Sequence, residues 1–315
     1  NGWTAREPTQ AMVIDYEMTN GKKFFEEGSG YDEKHPFRNR DPRFYKTIAT
    51  PFSMYGHTTD GKYSEDELEL YLLYENKTMA DFALGKKEPD YTSKAKHLWH
   101  ATNTSGLELN KWYIPTSPIT ESEVGSLLYP WFRLAEMYLN FAECAYMTGK
   151  EAECREYINK VRSRADVMMP PVTEGGESLW DRLVNERRIE FAYEFMRYFD
   201  LRRWKVADFY ENVPFAGMRT MLLKNGTKID TVYRVARLYD EAKNNTCYYW
   251  STSAARDAYI AANGASEDIS SIVTYRWLGK DYKIDYGDCC LNISPTQKHF
   301  PQVGGVYPNY LMPIP

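Results

Sequence analysis

WFRLAEMYLNFAECAYMTG, residues 131–149, is the stretch that decides the fold, because its apolar residues recur every three or four positions. One predicted helix face collects Trp131, Leu134, Ala135, Tyr138, Ala142 and Ala145, and a second apolar stripe collects Met137, Phe141 and Cys144. Pro130 stands near the start and Gly149 just past the end, as is usual at helix ends. A helix with two apolar faces must be covered on both sides, which predicts a stacked helical scaffold.

Two further helical patterns follow the first. A second helix over about residues 150–164 would align Cys154, Ile158, Val161 and Ala165 on one face. The short connection between the two helices predicts an antiparallel hairpin. A third helix is predicted to begin at Ser178, with Asp181 three positions later, close to a capping box.

The third pattern ends in a dense run of charges, NERRIEFAYEFMRYFDLRRW at 185–204. Two carboxylates four residues apart on a helix could serve as acid and base in catalysis. Each carboxylate here lies within a turn of an arginine, however, which lowers its pKa and leaves no poised acid. We therefore predict a structural ion-pair network between helices, formed by Glu186, Arg187, Arg188, Glu190, Glu194, Arg197, Asp200, Arg202 and Arg203.

Composition excludes several classes of function. The 315 residues carry a net charge of −5, and no basic stripe exists that would displace counterions from nucleic acid. No apolar run is as long as a membrane span, and no nucleophile elbow, phosphate-binding loop or metalloprotease motif occurs. His97 and His100 flank Leu98 and Trp99 without a nearby third ligand. We therefore expect no catalytic residue, no metal site and no cofactor.

The five cysteines are too few, and odd in number, for a disulfide-built fold. We expect Cys144 and Cys154, which fall within predicted helices, to be buried thiols.

The segments outside the helical core contain short apolar pieces broken by turn signals. We divide the chain into a loop-rich segment at 1–125, a helical core at 126–206 and a loop-rich wrap at 207–315. The acidic run at 64–69 reads as a capped, solvated helix start. The fold class predicted is mainly α, with long irregular loops and a few short β-hairpins.

Aromatic residues give the candidate ligand contacts, since the chain holds 26 tyrosines and 8 tryptophans. Flat rings in polar, turn-rich surroundings suit stacking on the apolar face of a sugar ring. Packing under long loops explains most of the others. The candidates for glycan binding are Trp99 and Tyr55 first, then Trp3, and then Tyr248, Tyr249 and Trp250.

Several pieces, in this order along the chain, resemble the SusD/RagB family of Bacteroidetes outer-membrane lipoproteins. They are EPTQAMVIDYEMTNGK at 7–22, NRDPRFYKTI at 39–48, the three helical stretches above and NYLMPIP at 309–315. The resemblance is to the C-terminal domain of the family and spans nearly the whole chain. Phe195 departs from it, because the family pattern often has glycine there, and we interpret the change as local packing.

The resemblance implies a tetratricopeptide-like helical scaffold and a non-catalytic glycan-binding protein at the surface of the outer membrane. Such a protein would cap a SusC-like TonB-dependent transporter and pass oligosaccharides to it. Family members usually carry an additional N-terminal helical-repeat region with a lipid-bearing cysteine, so membrane contact is expected only through an anchor outside this chain. A peptide-binding member of the family and a glycoside hydrolase with two carboxylates remain as alternatives.

Overall fold

The computed structural model describes residues 7–59, 62–82, 105–113, 130–207, 216–237 and 272–285, with positions 210, 258, 261 and 262. The helices are α1 at Gln10–Asp15, α2 at Pro42–Thr47, α3 at Leu134–Met147, α4 at Glu151–Arg162, α5 at Gly176–Glu190 and α6 at Met196–Trp204. The longer strands are β2 at Met54–Thr59, β3 at Lys62–Glu67, β4 at Leu72–Glu75, β6 at Ala216–Asn225, β7 at Lys228–Arg237, β8 at Ile272–Trp277 and β9 at Lys280–Asp285. Two-residue strands, β1 at Ile48–Ala49 and β5 at Glu108–Leu109, pair with each other.

The helical core consists of α3, α4 and α5, whose apolar side chains form one cluster. Cys154, Ile158 and Val161 of α4 are fully buried, as the sequence predicts, whereas Ala165 lies beyond the end of the helix and is exposed. A short turn through Gly149, at φ 75°, joins α3 to α4. The predicted helical hairpin is therefore present.

The buried face of α3 differs from the predicted one. Ala135, Ala142 and Ala145 face the core, but Leu139 completes this face, and Trp131 and Leu134 are 80% and 63% exposed. Trp131 precedes the first helical turn, so the helical spacing does not apply to it. The small alanines let α4 and α5 approach closely, which orients this side of α3 inward.

The second apolar stripe of α3 is exposed, contrary to the expectation that both faces are covered. Met137 is 49% and Phe141 42% exposed, and Cys144 is an exposed thiol rather than the buried one predicted.

The third helical pattern forms two helices rather than one continuous helix. The chain breaks between α5 and α6, where Tyr193 and Phe195 adopt φ values of 58° and 64°. The predicted start of the third helix was also wrong, because Gly175 is the residue before the first turn and Ser178 lies inside the helix.

The flanking segments contain more strand than predicted. Strands β6 and β7 are ten residues each and form a hairpin that turns at Gly226 and Thr227, and β4 adds to β6 in parallel. The acidic run at 64–69 is not a helix start, since most of it lies in β3 and pairs with β2. The described chain thus combines six α-helices with four small sheets, which is roughly compatible with the mainly α fold predicted.

Two backbones cross closely where β6 meets the segment at 105–107. A Cβ atom on Gly217 would lie 2.6 Å from Ser105 Cα and 2.7 Å from Ser105 C. Met218 N donates to Ser105 O at 2.7 Å across the same crossing. Glycine is needed here because a side chain would displace the neighbouring backbone.

Candidate functional site

The charged residues of α5 form ion pairs with residues from distant parts of the chain. Glu186 accepts from Arg43 of α2 at 2.5 Å and from Arg162 of α4 at 2.9 Å. Arg162 also pairs with Glu17 at 2.8 Å, and Arg182 pairs with Glu17 at 3.0 Å. The network therefore ties the N-terminal segment and α2 to α4 and α5.

Glu190 and Glu194 form ion pairs at the N-terminal end of α3. Arg133, just before α3, donates to Glu190 at 2.5 Å and to Glu194 at 2.8 Å. Burial alone would raise the pKa of Glu190, but the guanidinium groups of Arg43 and Arg133 outweigh burial and lower that pKa to about 2. A carboxylate held this acidic is a poor proton donor near neutral pH.

Asp200 of α6 accepts from two arginines. Arg187 contacts it through Nε and Nη2 at 3.0 Å each, and Arg203 through Nη2 at 2.7 Å. Arg203 also bonds Glu143 of α3. The predicted interhelical ion-pair network is thus confirmed for these residues.

A stacked pair of tyrosines, Tyr55 and Tyr113, forms the candidate ligand surface, and we call this pair the tyrosine platform. Tyr55 on β2 and Tyr113 after β5 stack with ring centroids 4.3 Å apart and an interplanar angle of 27°. Both rings are partly exposed. Tyr55 also packs on Ala49, Leu68 and Leu70, which fix its position from below.

Tyr63 on β3 lies on the other face of the β2–β3 hairpin from Tyr55, because it pairs with Thr58 and side chains alternate between the two faces along a strand. Its ring lies against Gly56, where a Cβ atom would meet the ring carbons at 2.8 and 2.9 Å. The Tyr113 hydroxyl donates to Gly56 O at 2.6 Å. Because Gly56 has no side chain, the Tyr63 ring can lie over this backbone position while the Tyr113 hydroxyl bonds its carbonyl oxygen.

The environment of the tyrosines keeps their phenols protonated. Glu65 accepts a hydrogen bond of 2.5 Å from the Tyr63 hydroxyl, and this bond raises the pKa of Tyr63. Burial and the neighbouring phenol of Tyr113 raise the pKa of Tyr55. The phenols therefore remain protonated at neutral pH and can donate hydrogen bonds. Flat rings beside donors and acceptors can bind a hydroxyl-rich ring from its face and its edge.

Of the predicted ligand residues, the structure places only Tyr55 in this cluster, and the other five lie outside the described residues: Trp3, Trp99, Tyr248, Tyr249 and Trp250. Tyr113 was not predicted from the sequence. Its signal is the pair Trp112-Tyr113 just after a short alternating segment at 107–110, but its contact with Tyr55 spans the fold.

Candidates for metal or acid–base chemistry are limited in the part of the chain that the structure describes: burial raises the pKa of Asp181, whose carboxylate accepts the Leu278 amide at 2.9 Å. No group of three or more potential metal ligands comes together among those residues. Of the acids near aromatic residues, Glu65 is bonded to Tyr63, and Asp60, Asp90 and Asp240 are not among the described residues. Within the same described ranges, no helix is both long and apolar enough to cross a bilayer.

Comparisons with known proteins agree on one family. The sequence profile of the SusD family matches residues 1–315. A SusD-like protein of Formosa agariphila is 37% identical over 78 residues, which is 24% of this chain and 15% of the relative. The charged helical core and the tyrosine platform thus occur in a chain whose sequence matches the SusD family.

Two solved structures from Bacteroides fragilis are also similar. A SusD-like protein shares 25% identity at a TM-score of 0.54, covering 75% of this chain and 41% of that one. A SusD-like carbohydrate binding protein shares 27% identity at a TM-score of 0.48, covering 67% of this chain and 37% of that one. The matches cover less than half the length of each relative.

The family profile covers the whole chain, and the similar proteins carry the same family name. The chain therefore belongs to the SusD family.

Proposed function

We propose that this protein binds oligosaccharide or polysaccharide at the cell surface and delivers it to a SusC-like TonB-dependent transporter. The observation that carries the proposal is the tyrosine platform, the two stacked and partly exposed rings of Tyr55 and Tyr113, whose phenols can donate hydrogen bonds. Membership of the SusD family supports the same function.

The strength of such a site follows from area and hydrogen bonds. If one ring removes about 50 Å² of apolar surface from water, at roughly 25 cal/mol/Å² it contributes about 1 kcal/mol. Two or three rings with several hydrogen bonds give millimolar to micromolar affinity after ordering costs. Affinity in this range suits a protein that captures a polymer and then releases it.

The proposed location is the outer membrane, with the protein held there as a surface lipoprotein. The proposed means of attachment is a lipid anchor. The proposed partner is a SusC-like transporter, and nucleic acid is not a proposed ligand. Co-purification of the full-length protein with a SusC-like transporter from outer membranes tests the partnership, and purification without any such transporter contradicts it.

A non-catalytic role is proposed because arginines hold two acids of the helical core in their charged form. Glu190 is held at a pKa of about 2, and Asp200 is shared by Arg187 and Arg203. A glycoside hydrolase needs one carboxyl group that stays protonated to act as an acid. Neither Glu190 nor Asp200 offers one.

A panel of neutral and acidic polysaccharides tests the proposal in a single experiment. Binding is measured by retardation in native gels that contain each polymer, and hydrolysis by the release of new reducing ends. We expect retardation by at least one polymer without new reducing ends. Sustained release of reducing ends would establish a hydrolase instead, and binding of peptides but no glycan would establish a peptide-binding protein.

A further inference from the structure

The turn at 110–113 carries Tyr113 into the tyrosine platform. It begins directly after β5, where Asn110 N donates to Thr47 O at 2.9 Å. Tyr113 N then donates to Asn110 O at 3.1 Å, which closes a four-residue turn. The direction of the Tyr113 ring therefore depends on the backbone conformation inside this turn.

Trp112 occupies the position in this turn that usually belongs to glycine. Its φ is 73°, and the third residue of a type II turn needs a positive φ, so glycine or asparagine is usual there. A bulky side chain at such a backbone angle is strained. Strained residues persist where the surrounding structure holds them, and they cluster at functional sites. The turn by itself gives no reason for a tryptophan.

The contacts of the Trp112 ring show what holds the residue in this conformation. Its Nε1 donates to the Tyr193 carbonyl oxygen at 3.1 Å, at the break between α5 and α6. The ammonium group of Lys111 lies 5.5 Å from the centre of the Trp112 ring and forms an ion pair with Glu194. Two neighbouring side chains thus attach the turn to the same part of the helical core.

Tyr113 is held from the opposite side by its hydroxyl. The hydroxyl donates to Gly56 O at 2.6 Å, and the ring stacks on Tyr55 at 4.3 Å. The Tyr113 ring is therefore fixed by β2 at one end and, through Trp112, by the helical core at the other. Rings that are fixed before a ligand arrives lose little freedom on binding, which favours affinity.

We propose that Trp112 is a positioning residue of the tyrosine platform. Its indole holds the turn at 110–113 against Tyr193, and the turn directs the Tyr113 ring onto Tyr55. Trp112 therefore acts on glycan binding through Tyr113 rather than through contact with the ligand. This last step rests on the proposed glycan-binding function, whereas the stacking of the two rings can be measured without any ligand.

The first measurement is the NMR spectrum of the full chain with labelled tyrosine and without ligand. Tyr55→Phe assigns the ring signals of Tyr55, and Tyr113→Ala shows where these signals lie without the stacked neighbour. We expect Trp112→Gly, which suits the backbone angle but has no ring, to move the Tyr55 signals towards their positions in Tyr113→Ala. Trp112→Phe keeps a ring but loses the Nε1 donor, and should move them part of the way.

Trp204→Phe is the matched control. Trp204 on α6 also donates from Nε1, to Glu143 of α3 at 2.9 Å, and this bond lies outside the turn at 110–113. The control and Trp112→Phe each lose one indole hydrogen bond, so their melting temperatures should fall by similar amounts. The Tyr55 signals should nevertheless stay at their wild-type positions in Trp204→Phe.

The second measurement is retardation in a gel that contains a polysaccharide bound by the wild type. Trp112→Gly should weaken binding at least about fivefold, and Trp112→Phe should weaken it by a smaller factor. Trp204→Phe should bind within about twofold of the wild type. Weaker binding by Trp112→Phe than by Trp204→Phe, at similar melting temperatures, separates positioning from general stability.

The proposal is overturned if the Tyr55 signals of both Trp112 variants coincide with those of the wild type, or if these signals move while retardation stays unchanged. It is also overturned if Trp204→Phe moves the signals and weakens binding as much as Trp112→Phe does. Shifted signals in the Trp112 variants alone, with no polymer that retards the wild type, would sustain the positioning of Tyr113 and reject the proposed glycan-binding function.

Discussion

Arg187 and Asp200 form a bidentate ion pair across the break between α5 and α6, with Nε–Oδ2 and Nη2–Oδ1 distances of 3.0 Å each. Both side chains are buried, at 2% and 4% exposure. The pair joins two helices that the strained segment at 191–195 separates. Removing either residue would leave the charge of the other buried without this partner. A substitution at either position should therefore destabilise the fold.

Arg187→Ala is expected to lower the free energy of unfolding by about 3 kcal/mol, because Asp200 would remain buried with one partner fewer. The cost stays at the lower end of the range for broken buried pairs, since Arg203 still contacts Asp200. Denaturant unfolding measures the effect. Arg202→Ala, whose guanidinium contacts only the Tyr198 carbonyl and ring among its described partners, is the control and should change stability by less than about 0.5 kcal/mol. Equal stability of the two variants would contradict the structural role of the pair.

The helical core was largely predictable because its signals are local. The periodicity of Cys154, Ile158 and Val161 gave the buried face of α4, and arginines within one turn of each carboxylate indicated ion pairs rather than acid–base groups. The break before α6 was not predicted. The charges run on through 185–204 with helical spacing, and only the backbone angles of Tyr193 and Phe195 reveal it.

The partners of the network and the candidate site could not be predicted, because they depend on contacts far apart in sequence. Glu17 lies 145 residues before Arg162, to which it is bonded. The acidic sequence of β3 is typical of a helix start, and only its pairing with β2 shows that it forms a strand. Tyr113 acquires a role only through stacking on Tyr55.

Acid should lower the free energy of unfolding by protonating Glu17. Burial would raise the pKa of Glu17, but Arg162 and Arg182 outweigh it and lower the pKa from 4.5 to about 2. The folded pKa is below the unfolded one, so this stabilisation is complete above about pH 4.5 and is lost as the pH falls towards 2. The loss amounts to about 3 kcal/mol.

The comparison of the wild type with Glu17→Gln isolates this effect. The variant should be less stable at pH 7, and the difference in unfolding free energy should shrink as the pH falls to about 2.5. Glu153→Gln, which removes an exposed carboxylate paired with Lys150 at 3.4 Å, should track the wild type throughout. A difference for Glu17→Gln that does not depend on pH would show that the ion pairs of Glu17 do not set its pKa.

Gly217→Ala should disrupt the crossing of β6 over Ser105, because the new methyl group would lie 2.6 Å from the Ser105 Cα atom. We expect a loss of about 2 to 3 kcal/mol in the free energy of unfolding. Gly149→Ala is the contrast: it has a positive φ of 75° but open space around its Cα, and should cost about 1 kcal/mol through backbone strain alone. If Gly217→Ala is as stable as Gly149→Ala, the close crossing is absent in solution.

The two described cysteines should differ in reactivity. Cys154 is fully buried, and burial raises the pKa of its thiol to about 11, whereas Cys144 is exposed on α3. Alkylation of the folded protein at pH 8, read by peptide mass spectrometry, should modify Cys144 well before Cys154. Denaturant should abolish the difference. Equal rates without denaturant would mean that α3 and α4 are not packed as described.

The central claim is that the tyrosine platform binds glycan while the charged core only supports the fold. The direct measurement is the retardation of Tyr55→Ala, Tyr55→Phe and Tyr198→Ala in a gel containing a polysaccharide that the wild type binds. Tyr55→Ala should lose at least about tenfold in affinity. Tyr55→Phe keeps the ring, and Tyr198→Ala changes an exposed ring on α6. Both of these variants should bind nearly as the wild type does. Folded Tyr55→Ala protein with wild-type retardation would contradict the claim.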